Sequence, residues 1–224
     1  MPRALPRQGS LPFRTHGGKR AGAGRPRKGD ETVPHARRPH VDGRTPVHVT
    51  LRMRRGVWNL RSQRGFSRVA LALGEERKLG LLRVVAFSVQ GNHVHMVVEC
   101  DSTSDLSRRM KGFGARFAKA MNRMMGRRRG KVLAERFHAV PLRSPTQVKN
   151  ALRYVLENHA RHGARSGFDT LAGPDPFAGT SVVAVARGSP PSPLVSAPRS
   201  WVLRVGLERR ARVGPRRVGP QQPT

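Results

Sequence analysis

Two histidines and one tyrosine are the residues of this chain best suited to chemistry. His93 and His95 stand two apart in Gly91-Asn92-His93-Val94-His95-Met96-Val97-Val98-Glu99. On an extended strand both imidazoles therefore leave one side, while Val94, Met96 and Val98 leave the other. Imidazoles so paired can share one divalent cation. Spacing alone also allows packing roles for both in a chain of 9 histidines. A structural zinc site that recruits Cys100, the single cysteine, finds no fourth ligand at zinc-finger spacing. Tyr154 is the only tyrosine in 224 residues. It falls in a helical pattern whose apolar stripe is Val148, Ala151, Leu152, Val155 and Leu156, and it lies outside that stripe with Gln147 and Asn150. Asn158 follows four residues later on the same flank. A nucleophile with a polar helper is one reading; a surface aromatic near a fraying helix end is the other.

The elements that must position these residues are legible from periodicity. From Pro46, Val47, Val49, Leu51 and Met53 alternate with His48, Thr50, Arg52 and Arg54, the period of a half-buried strand. Phe66 to Leu79 follows helical spacing and stops at Gly80, a C-cap signal. Leu82 to Gln90 and His93 to Cys100 read as strands joined at Gly91-Asn92, making a hairpin. Asp105 to Met125 carries Leu106, Met110, Phe113, Phe117, Met121 and Met124 at steps of three and four, an amphipathic helix with a basic solvent side. Val132 to Leu142 is a weaker strand. Ser144-Pro145-Thr146-Gln147 supplies an N-cap, a first-position proline and a capping box, opening a helix expected to end at Gly163. The order predicts an α+β fold: a ferredoxin-like βαββαβ sandwich with an additional C-terminal helix that carries the tyrosine.

Residues 1–45 are rich in Gly, Pro, Arg and Lys with few large apolar groups, and read as a flexible basic arm. Within it Gly24-Arg25-Pro26-Arg27-Lys28 resembles half of an AT-hook, which would place Arg25 and Arg27 in a minor groove; a plain phosphate-binding arm is the alternative. The catalytic domain is expected over 46–163. Residues 164–224 read as a Pro/Gly/Arg-rich tail that docks on the core through Trp201.

A formal net charge of +31 is the balance of a polyanion binder. No stretch approaches the ~20 apolar residues that span a membrane, no secretory leader is recognisable and no P-loop occurs, so a cytoplasmic, ATP-independent nucleic-acid protein is expected.

In the order given, the Gly91-to-Glu99 segment, the basic helix ending in Met121-Asn122-Arg123, Glu135-Arg136-Phe137-His138 and Ala151-Leu152-Arg153-Tyr154-Val155-Leu156-Glu157-Asn158 resemble the HUH single-tyrosine transposases, in particular the branch associated with repetitive extragenic palindromes. The resemblance spans about Pro46 to Gly163. It implies His93 and His95 as ligands of Mg²⁺ or Mn²⁺, Asn158 as a third ligand, and Tyr154 as the nucleophile that cleaves and rejoins single-stranded or hairpin DNA through a 5′-phosphotyrosyl intermediate. Arg108, Arg109, Arg116, Lys119, Arg127, Arg128 and Arg129 are the expected backbone contacts. The resemblance also implies a bacterial, nucleoid-associated protein acting as a monomer or homodimer. Two departures stand out: Gln90-Gly91 replaces the usual Met-Pro before Asn-His, and His159 follows Asn158 where the family usually has Pro. A catalytically inactive, domesticated DNA- or RNA-binding protein is the competing reading, and charge alone would also suit a ribosome-associated one.

Overall fold

The computed structural model describes residues 38–80, 82–166, 175–182 and 192–206. The predicted order holds, with β1 at Val47–Arg52, α1 at Gln63–Leu79, β2 at Arg83–Val89, β3 at His93–Glu99, α2 at Thr103–Met124, β4 at His138–Pro141 and α3 at Pro145–Ser166. A further strand, β5 at Ala178–Thr180, and a π-helical turn at Val202–Gly206 follow. The sheet order is β4-β1-β3-β2-β5, and every neighbouring pair is antiparallel. This is the ferredoxin-like α+β arrangement with an added edge strand and an added helix.

Alternation decides what each face of the sheet does. Val47, Val49 and Leu51 of β1 and Val94, Met96 and Val98 of β3 pack with Val69, Leu73, Leu106, Met110, Phe113, Phe117 and Met121 of α1 and α2 in the main core. The other face meets α3, whose Val148, Leu152 and Val155 pack with Val85, Ala86 and Val97. An irregularity between Val84 and Ala86 adds one residue to β2 relative to β3. Val85 and Ala86 thereby both join the α3-side core, which strict alternation would forbid.

Caps set the helix starts. Ser62 Oγ accepts from Gly65 N at 3.0 Å and Ser102 Oγ from Asp105 N at 3.1 Å. Gly80 closes α1 at φ 60°, a left-handed conformation that glycine adopts without a Cβ clash. The Ser144 box is reciprocal: Gln147 N donates to Ser144 Oγ at 3.2 Å, and Ser144 N to Gln147 Oε1 at 3.3 Å.

Two expectations of secondary structure are corrected. α3 runs through Gly163 to Ser166, since an interior glycine costs a helix only about 1 kcal/mol relative to alanine and does not by itself end one. The strand expected from Val132 to Leu142 is reduced to His138–Pro141 plus a bridge between Met53 and Leu133, with the exposed Glu135 and Arg136 between them outside the ladder. The ordered body also reaches past 46–163 on both sides. Val41 is buried in the main core. β5 pairs with β2, and Asp175 takes two 2.9 Å hydrogen bonds from Arg61. In the described part of the tail Trp201 is 57% exposed, while Leu203 and Val195 are buried. The Glu99 carboxylate accepts from the backbone N–H groups of Arg199 and Ser200 in the tail, both at 2.7 Å.

Candidate active site

Antiparallel register lines up one row of side chains across the α3 side of the sheet. His138 of β4 stands opposite Thr50 of β1, Thr50 opposite His95 of β3, and His95 opposite Ser88 of β2. Two residues along, Arg52 stands opposite His93. Both histidines of the pair therefore face α3, as the alternation requires.

Their rings are nearly orthogonal, with centroids 4.7 Å apart. His93 is fixed from its own turn, where Asn92 Oδ1 lies 2.7 Å from its Nδ1. His95 is buried and fixed from β1: its Nδ1 is 3.2 Å from His48 Nε2 and 3.1 Å from Thr50 Oγ1. The His48 ring stacks beside it at 5.3 Å and 28°. Burial, with a smaller contribution from the charge of His138, pushes the His48 imidazole down to about 4. At neutral pH His48 is therefore uncharged.

α3 brings Tyr154 onto this group. Its ring lies 5.2 Å from that of His95 at 79° and 5.9 Å from that of His48 at 73°, both edge-on. At 37% exposed it sits at the rim, while Leu152 and Val155 beside it on the helix are fully buried. This is the geometry the stripe predicts: the apolar residues seat the helix, and the tyrosine looks along the sheet toward the histidines. Asn158, one turn later, has rotated further inward and is 1% exposed. Its buried Nδ2, a donor, has no hydrogen-bond partner among the described residues, an arrangement that usually costs about 1–3 kcal/mol.

Two imidazoles and a buried amide are donors of a type that suits a divalent ion with nitrogen and oxygen ligands. Among the described residues no group of three or more His, Cys, Asp or Glu stands in a metal-holding arrangement. Cys100 takes no part: burial, with the nearby Asp105 and Asp101 carboxylates, pushes its thiol up to about 11.

The expected DNA contacts divide. Arg108, Arg109, Arg116 and Lys119 lie on α2, which covers the sheet face opposite Tyr154. Three of them are engaged in ion pairs, Arg108 and Arg109 with Asp105 at 2.9 and 2.8 Å, and Arg116 with the fully buried Glu76. Arg127, Arg128 and Arg129 form an exposed loop after α2. Arg25 and Arg27 lie outside the described residues.

His48 and Thr50 are site residues that the sequence reasoning missed. The signal was present: alternation puts both on the polar face of the first strand, and ferredoxin-like order puts that strand beside the one with the histidine pair.

A solved structure of a REP-associated tyrosine transposase bound to a REP hairpin is similar to this chain, with a TM-score of 0.51 at 19% identity, over 75% of this chain and 93% of that one. No family model and no curated protein sequence matches the chain. The similarity establishes a shared fold: this chain is built on the same α/β architecture as that transposase.

Proposed function

We propose that this chain is a metal-dependent DNA transesterase that cleaves and rejoins single-stranded or hairpin DNA through Tyr154. The carrying observation is the convergence, on one sheet face, of the chain's only tyrosine with its histidine pair: the Tyr154 ring is 5.2 Å from that of His95, which is 4.7 Å from that of His93. The hairpin bound by the structural neighbour agrees with this substrate class, as does the charge of +31.

In the proposed reaction the Tyr154 oxygen forms a bond to phosphorus as the bond from phosphorus to the 3′ oxygen breaks. The phenol gives up its proton and the departing 3′ oxygen takes one up. A phosphodiester is exchanged for a phosphotyrosyl ester, so the step is reversible and requires no nucleotide. His93, His95 and Asn158 would hold a Mg²⁺ or Mn²⁺ ion, which when bound would neutralise charge developing on the phosphate. His48 and Thr50 orient His95 from β1, and the apolar seat of α3 sets the place of the tyrosine relative to the histidines.

Incubation with a hairpin that has single-stranded flanks, in Mg²⁺ or Mn²⁺, should yield a covalent protein–DNA species whose modified peptide contains Tyr154. Tight hairpin binding with no such species would replace this reading by that of a binding protein without catalysis.

A further inference from the structure

Beside the hairpin turn that leads into His93, the loop after β1 is clamped at both ends. Met53 N donates to Asn92 O at 2.7 Å and Leu60 N to Gly91 O at 2.9 Å, so residues 54–59 stand outward from the turn. The loop after α2 is fastened to the same place, through Arg54 N to Val132 O at 2.8 Å and Arg127 Nη2 to Gly56 O at 3.4 Å. Arg54, Arg55, Arg127, Arg128 and Arg129 are all exposed, and none is ion-paired to a described residue. Sequence explains this freedom: no Asp or Glu lies between Asp42 and Glu75 or between Asp105 and Glu135. Among these cations Trp58 is 46% exposed, and it is absent from the apolar core that takes its neighbour Val57.

A large aromatic left in water among unneutralised guanidinium groups matches single-stranded nucleic acid, which presents phosphates and open base faces together; in a duplex those faces are stacked away. We infer that the loops 54–58 and 126–131 form a binding surface for the single-stranded DNA next to the cleavage site, with Trp58 stacking on one base and the arginines holding the phosphates. The inference rests on the DNA reading of the site.

The test uses the full chain carrying Tyr154→Phe, so that binding is read without chemistry, and Trp201→Phe, which leaves Trp58 as the only tryptophan. Saturation with oligothymidylate should quench the emission, and a duplex of equal length should not. Trp58→Ala should weaken single-strand affinity about 5–150-fold, the stacking of one base, with an unchanged salt slope, and Trp58→Phe should recover most of the loss. Arg54→Ala or Arg55→Ala should each lower the slope of log affinity against log salt by about 0.7. Emission that stays constant while DNA saturates, equal quenching by duplex, or wild-type affinity in Trp58→Ala would overturn the inference. A Trp58 response without any covalent adduct in the wild-type chain would instead retire the transesterase and keep this surface.

Discussion

On one face of the sheet, α1 and α2 bury Leu73, Phe113, Phe117 and Met121 against Val94, Met96 and Val98. On the other, α3 meets a strip that is apolar at Ala86 and Val97 and turns to histidine at His95 and His93. The first face also neutralises three of its cations, since Arg108, Arg109 and Arg116 are ion-paired to carboxylates at or near α2. The second keeps an imidazole cluster around the buried His95, a buried amide without a partner among the described residues and a tyrosine at the rim. A single strand, β3, serves both faces because its side chains alternate. One face is optimised for packing, and the other retains polar groups that packing would not select.

Variants on the two faces should separate stability from cleavage. Phe113→Ala should have the largest effect, a loss of about 3–5 kcal/mol in urea unfolding from the cavity left in the main core. By contrast, Tyr154→Phe should move the unfolding midpoint little, within ~0.5 kcal/mol, because the hydroxyl is not part of the core. Next, His93→Ala should slow cleavage of a labelled oligonucleotide by about 10²–10³, what the loss of one charge-stabilising contact commonly costs, with the unfolding curve unchanged. A chelator should reproduce that loss in the wild-type chain, and Mg²⁺ or Mn²⁺ should reverse it. A cleavage defect in Phe113→Ala that persists at temperatures where the protein is fully folded would blur the division between faces.

The tail sharpens the comparison, because it fastens the α3 face. Glu99→Gln removes the charged acceptor of two backbone N–H groups and should cost about 1–3 kcal/mol, with faster proteolysis near residues 199–206 as the direct readout. Arg108→Ala is the smallest change. Its pair with Asp105 is largely in water, its side chain being 78% exposed, so stability should shift by less than ~0.5 kcal/mol.

Much of this organisation was written in local pattern. The period-2 alternation of residues 47–54, the Gly91-Asn92 turn, the Ser144 capping box and the off-stripe place of Tyr154 each depend on near neighbours in the chain, and each placed its element correctly. What escaped depended on partners distant in sequence. His48 joins the site only through the pairing of β1 with β3. β5 is three residues long and is a strand because the edge of β2 is open to it. Trp201 drew attention as the large residue of an irregular tail, yet the smaller Leu203 fills the space beside Leu152 and Val155. Arg116 of α2 is legible as a basic residue, but its pairing with Glu76, forty positions earlier, is not.

The convergence of Tyr154 with His93 and His95 is the center of the account, and one comparison tests it most directly. Wild-type and Tyr154→Phe chains are each incubated with end-labelled single-stranded hairpin DNA and Mg²⁺ or Mn²⁺, then resolved under denaturing conditions. A labelled protein–DNA band should form in the wild type and none in Tyr154→Phe. No band in the wild type, or an equal band in both, would contradict it.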